Sequence, residues 1–181
     1  MSAVSVAPGA LEQVRTFLNT WRLPNDTRTP EDLLPGLAGA EASWRAALPD
    51  VAPVGAGEWE ELLRLRADLR DALGEHAPDG LRGWLARHPV VAALGDDPPV
   101  RHRPQHPGAV GDLLALVVDA MAYGRWPRLK ACPDCRHVFY DHSRNRSRTW
   151  CGMYAERPEG RACGSIAKVR TYRKRKREQA A

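Results

Sequence analysis

The sequence predicts a mainly α chain, α+β overall, in two parts. Residues 1–125 read as a helical N-terminal domain with a small β element, and residues 126–181 as a cysteine-bearing module that ends in a basic helix. Three observations predict this. Apolar residues recur at helical spacing through most of the first part. All four cysteines (Cys132, Cys135, Cys151 and Cys163) lie beyond residue 131. The net charge of +5 is unevenly divided: residues 125–181 hold 16 Lys and Arg against 5 Asp and Glu, a balance of +11, and the preceding residues balance at −6.

The elements follow in chain order. Residues 1–10 are small and weakly patterned, which predicts a frayed end. Leu11, Val14, Phe17, Leu18 and Trp21 fall on one face of a helix over Leu11 to Trp21. Thr29 and Pro30 suit the cap and first position of a second helix. Ala40 to Leu48 reads as a short helix, and Pro49 to Gly57 as a loop. Glu58 to Leu73 carries the strongest apolar face, with Trp59, Leu62, Leu65 and Leu69, and Gly74 stops it. Asp79 to Arg87 is a further helix with Leu81 and Trp84 inward. The Pro-rich stretch Pro89 to Pro107 is irregular, with short strands around Val90 to Leu94 and Val100 to Arg103. Ala109 to Arg125 closes the first part as a helix, apolar at Val110, Leu113, Leu114 and Val117.

The same sequence excludes several classes. Its longest apolar runs, such as Leu113 to Val118, are far too short to span a bilayer. No basic segment followed by an apolar stretch opens the chain, so no export signal is expected and the predicted location is cytoplasmic. No glycine-rich phosphate loop, H-E-x-x-H or nucleophile elbow is present, and no catalytic residues are expected. His76, His88, His102 and His106 read as surface or capping residues. Pro104 and Pro107 exclude a regular helix that would align the last two.

The cysteines carry the chemistry. Cys132 and Cys135 form a C-x2-C pair, Cys151 follows after fifteen residues and Cys163 after eleven more. Pro133 and Asp134 supply turn residues that let two thiolates grip one ion from a knuckle. Four thiolates complete a tetrahedral, structural Zn2+ site with no open position. Two disulfides fit poorly with a chain lacking an export signal, and a redox C-x2-C fits poorly without a surrounding βαβ pattern. One structural zinc ion outweighs both.

Val138 to Tyr140 suits a strand, Asp141 to Asn145 a turn, and Ser147 to Trp150 a return strand. A knuckle, a hairpin and a cysteine at the start of a final helix describe a treble-clef-like zinc finger. Arg144, Arg146 and Arg148 would then alternate along a strand and point to one side. Ile166, Val169 and Tyr172 form a narrow apolar stripe on the final helix, with Lys168, Arg170, Arg173, Lys174, Arg175, Lys176 and Arg177 around it. Like charges at steps of three and four oppose a helix, so its distal half is expected to order on an anion. These cations, with Asn145 in the turn, are the candidate nucleic-acid contacts. Arginine suits phosphate because its planar fork donates two parallel hydrogen bonds.

The run LKACPDCRHVFYDHSRNRSRTWCGM, followed by ACGSIAKVRTYRKRKR, resembles the CGNR zinc-finger family. Cys132, Cys135, Cys151 and Cys163 match its four cysteines, and Phe139, Asp141, Ser143, Arg144, Asn145, Ser147, Arg148, Trp150, Met153, Gly164 and Lys168 match the rest of its pattern. Two departures stand out. Ser165 and Ile166 replace the family's Asn-Arg, and Tyr154 to Ala162 looks like an insertion between the last two cysteines. Phe17, Leu18, Asn19 and Thr20, with Asp32, Leu33 and Leu34 downstream, resemble the helical ABATE domain that precedes this finger. The resemblance implies a bacterial, stress-induced transcriptional regulator whose finger binds DNA and whose N-terminal domain senses a small-molecule effector. A homodimer would be usual for such a regulator. Two rival readings use the same residues: an RNA-binding or ribosome-associated zinc module, and a zinc-stabilised protein-interaction module whose basic tail meets an acidic partner. A third, weaker rival centres an enzyme or small-molecule sensor in the body.

Overall fold

The computed structural model describes residues 6–75, 79–152 and 162–178. Residues 1–5, His76, Met153 and the insertion as far as Arg161 lie outside the described residues, as does the side chain of Lys174. The elements run α1 (Leu11–Leu18), β1 (Trp21–Arg22), β2 (Glu31–Asp32), α2 (Leu34–Ala38), α3 (Glu41–Ala47), α4 (Trp59–Asp71) and α5 (Gly80–Arg87). They continue through β3 (Val90–Leu94), β4 (Val100–Pro104), α6 (Ala109–Ala122), a 3-10 turn (Trp126–Arg128), β5 (Leu129–Ala131), β6 (Val138–Tyr140) and α7 (Cys163–Glu178). The strands form three antiparallel pairs, β1 with β2, β3 with β4, and β5 with β6. Among the described residues no helix is long and apolar enough to cross a membrane.

The predicted apolar faces build the core. Helix α1 buries Val14, Phe17 and Leu18, α4 buries Leu62, Leu65 and Leu69, and α6 buries Val110, Leu113, Leu114 and Val117. Burying each such side chain contributes about 1.5–3 kcal/mol. Two tryptophans join this core with their indole N–H groups satisfied. Trp44 donates to the Val51 carbonyl at 3.0 Å, and Trp84 to Asp68 Oδ2 at 2.7 Å. The same core continues past residue 125 into the cysteine-bearing module, through Trp126, Leu129, Val138 and Tyr140.

Polar bonds reinforce that junction. The Asn19 amide donates from Nδ2 to the Val138 carbonyl at 2.9 Å and accepts the Val138 N–H at 2.8 Å, as a neighbouring strand would. Arg15 donates to the Val138 carbonyl, Arg70 to the Arg136 carbonyl and Arg28 to the Asp134 carbonyl. Arg70 also stacks on Trp21, and its burial, with Arg136 and Arg66 nearby, lowers its pKa to about 10, which leaves it charged at neutral pH.

Two local expectations are corrected. The first helix ends at Leu18, and Trp21 enters β1 instead of extending it. Thr29 and Pro30 do not start a helix; Glu31 and Asp32 pair with β1, and α2 begins at Leu34. The reason is Asp32, whose Oδ1 accepts the Leu34 N–H at 3.0 Å while buried Arg66 holds both carboxylate oxygens at 2.7 and 2.5 Å. That hydrogen-bonded guanidinium outweighs burial and holds the Asp32 pKa below its ordinary value. Helix α7 runs from Cys163 through Glu178. Lys and Arg are intrinsically good helix formers, and each like-charge pair costs only about 0.2–0.5 kcal/mol.

Candidate metal centre and the cationic surface beside it

Strands β5 and β6 place the first two cysteines. Their register pairs Leu129 with Tyr140, Lys130 with Phe139 and Ala131 with Val138, so the C-x2-C knuckle caps the hairpin. The Cys132 N–H donates to the His137 carbonyl at 2.9 Å, and the Arg136 N–H to the Cys132 carbonyl at 2.8 Å. Arg136 takes a left-handed φ of 61° to close the turn. The third cysteine arrives on the loop after β6. The fourth is the first residue of α7, where the Gly164 N–H donates to the Gly152 carbonyl at 2.9 Å and draws the helix start onto the loop that carries Cys151.

All four sulfurs lie within 4.8 Å of one another. Cys135 and Cys151 are 3.4 Å apart, and Cys151 and Cys163 3.8 Å. Thiolates about 2.3 Å from a tetrahedral zinc stand roughly 3.8 Å from each other, so the cluster fits one ion. Cys132, Cys135 and Cys163 are buried, and Phe139, Trp150 and Cys151 pack around them. The cluster alone favours a single thiolate. Neighbouring thiols of Cys135 and Cys151 hydrogen-bond Cys132 and lower its pKa strongly. That same charge raises Cys135 and Cys151, while burial first and then Cys135 and Cys132 raise Cys163. A divalent cation relieves this mutual repulsion, and four sulfurs leave it no open position. One structural zinc ion on Cys132, Cys135, Cys151 and Cys163 is what the arrangement holds.

The loop between β6 and Cys151 is organised by Asp141, which is fully buried. Its Oδ1 accepts the Ser143 N–H at 2.9 Å and hydroxyl at 2.6 Å; its Oδ2 accepts the Arg148 N–H at 2.9 Å and Lys130 Nζ at 2.8 Å. Burial opposes ionisation of this carboxyl, but Lys130 and Ser143 outweigh it and hold the pKa at about 2. Lys130 also donates to the carbonyls of Arg146 and Arg148, and Arg128 to those of Asp141 and Ser143. Ser147 closes the turn by donating its N–H to Ser143 Oγ and its hydroxyl to Asn145 Oδ1.

This corrects the expected return strand. Residues 147–150 form no strand, and β6 pairs with β5 instead. Arg144, Arg146 and Arg148 therefore do not alternate along one strand face; Arg146 has a φ of 54°. Arg148 lies over the Phe139 ring at 5.1 Å and donates from Nε to the Trp150 carbonyl and from Nη2 to the Cys151 carbonyl. It ties the loop to a metal ligand. Arg144, Asn145 and Arg146 are exposed at the turn.

On α7, Lys168, Arg170, Arg173, Arg175, Lys176 and Arg177 are exposed. Arg170 reaches Asp134 of the knuckle at 3.5 Å. Arg144, Arg146, Lys168, Arg173, Arg175, Lys176 and Arg177 make no ion pair among the described residues. Ile166, standing where the family pattern has arginine, is half-buried, whereas Val169 and Tyr172 of the predicted stripe are 48% and 66% exposed.

Hairpin, ordered loop and terminal helix around four cysteines define a four-thiolate zinc-binding finger. Residues 128–176 match the model of the CGNR zinc finger. No curated protein matches the chain. Asp141, Lys130 and Arg128 were not among the candidate site residues. The D-x-S spacing, an aspartate bonding the backbone two residues on, was the sequence signal for Asp141; nothing local announced the two cations.

Proposed function

We propose that the finger is a zinc-dependent DNA-binding module, and that the chain is a bacterial transcriptional regulator acting in the cytoplasm at the nucleoid. One observation carries the reading: Arg144 and Arg146 on the zinc-anchored loop, and Lys168, Arg173, Arg175, Lys176 and Arg177 on α7, are exposed without ion-pair partners among the described residues. Phosphates satisfy such a surface, and contacts to them position a protein on DNA without choosing a sequence.

The test is DNA binding by the zinc-loaded protein across a salt series, with and without chelator. If about five cations neutralise phosphates, log K falls against log salt with a slope of roughly −4 to −5. Chelation abolishes binding, because the ion's binding energy is part of the finger's folding energy. Tighter binding to structured RNA under the same conditions would favour the ribosome-associated reading. Absence of any nucleic-acid binding at physiological salt would favour the protein-interaction reading.

The body supports an effector role. A cleft of about 500 Å3 lies between β4, α6 and the segment before α1, lined by Arg101, His102, Arg103, Asp112, Asp119 and Tyr123 among others. His102 is oriented there by Asp119 Oδ1, which accepts its backbone N–H at 2.9 Å and lies 2.7 Å from its Nδ1. A small molecule bound in this cleft would raise the melting temperature in proportion to the logarithm of its concentration.

A further inference from the structure

The cationic face of α7 contains something that phosphate binding does not use. A groove of about 310 Å3 runs between Trp150 and the helix, lined by Trp150, Ala167, Lys168, Thr171, Tyr172 and Arg175. Residues 168, 172 and 175 fall on one helix face, so Tyr172 sits between two cations. Ala167 and Thr171 keep the floor low, and the Thr171 hydroxyl is turned back onto the Ala167 carbonyl at 3.0 Å. Trp150 is half-buried against the cysteine cluster, so the metal site fixes one wall of the groove. Tyr172 is 66% exposed.

An aromatic side chain left bare within a run of cations has little to gain from a duplex backbone. Two aromatic residues with a cation toward each end match a single nucleotide, whose planar base stacks while the flanking phosphates meet Lys168 and Arg175. An acidic peptide would use the cations and leave the rings idle. A base paired and stacked within a duplex cannot enter.

We propose that the Trp150–Tyr172 groove binds an unpaired nucleotide of a DNA strand, its base against the aromatic rings and its phosphates on Lys168 and Arg175. This rests on the DNA-binding reading and adds to it: the finger engages single-stranded or locally opened DNA, with α7 as stacking platform and electrostatic guide.

The test measures fluorescence anisotropy of the zinc-loaded full chain with a labelled single DNA strand, its duplex, and the RNA strand of the same sequence. Tyr172→Ala weakens single-strand binding about tenfold, the loss of one stacked base, and leaves duplex affinity unchanged. Tyr172→Phe keeps the ring and restores wild-type affinity. Unchanged zinc content and melting temperature of Tyr172→Ala would show that the loss is not misfolding. An equal loss on strand and duplex, or no loss on either, overturns the groove while leaving DNA binding intact. Loss on the RNA strand alone keeps the groove but overturns its assignment to DNA. Failure of the wild-type chain to bind any of the three overturns both.

Discussion

Replacing Asp141 with asparagine changes one oxygen to an amide nitrogen inside the loop that delivers Cys151. The remaining oxygen can still accept both donors of Ser143. The new NH2 faces Lys130 Nζ and the Arg148 N–H, both of them donors, where a carboxylate oxygen had accepted at 2.8 and 2.9 Å. Hydrogen bonds involving a charged group contribute about 1.5–3 kcal/mol each. Lys130 is 24% exposed and keeps two backbone carbonyls, which favours the lower end of that range. The sum is about 3 kcal/mol of loop order. Ordering the loop and binding the metal are one event, so Asp141→Asn weakens zinc binding by about 100-fold. Competition with a chromophoric chelator at fixed pH measures it. A change below about threefold would refute the reasoning. Lys130→Met in the same background supplies a second check. If the ion pair is the origin, the double variant loses less than the sum of the single losses; full additivity would place the effect elsewhere.

Other outcomes follow from the same geometry. Arg148→Lys loses the fork that bonds the Trp150 and Cys151 carbonyls, and zinc affinity falls about tenfold, whereas the pair Arg144→Glu and Arg146→Glu leaves zinc affinity unchanged and weakens DNA binding. Chelator competition and a binding titration separate the two effects. Trp126→Ala, which empties a fully buried site in the core shared by body and finger, costs about 3–5 kcal/mol and lowers the melting temperature and zinc affinity together. Asp112 gives a pH test. Burial, with Glu58 and Asp50 nearby, raises its carboxyl above the ordinary value despite the Ala52 N–H. The folded chain therefore holds this proton longer than the unfolded one, and the contribution is full below the ordinary carboxyl pKa and lost as pH rises through the raised value. Asp112→Asn should raise stability at neutral pH and flatten its fall above pH ~4, read by urea unfolding across pH.

The elements legible in the sequence were those decided by their own residues. The periodic faces of α4 and α6 are local patterns, and the predicted strands at Val90 to Leu94 and Val100 to Arg103 pair as β3 and β4, with β4 running one residue longer. The four cysteines were legible because ligand spacing is a chemical signature, and the structure brings them together. What was not legible depends on distant partners. Asp32 ends one local pattern and starts another because Arg66, far along the chain, holds its carboxylate. Asn19 looks like an ordinary helix-ending residue, yet its amide completes the edge of β6. The turn at Asp141 to Asn145 was legible, but Ser147 to Trp150 reads as a return strand in sequence. A buried carboxylate and the Lys130 ammonium, invisible to periodicity, hold that segment out of a strand and bring Arg148 inward onto the Cys151 carbonyl.

Zinc stoichiometry of the natively folded, reduced protein, determined by native mass spectrometry, tests the centre of this account most directly. One zinc per chain is expected, lost on chelation together with protection of residues 129–152 and 162–178 from hydrogen exchange. A metal-free chain with that protection intact, or one whose cysteines are joined as disulfides, would contradict it.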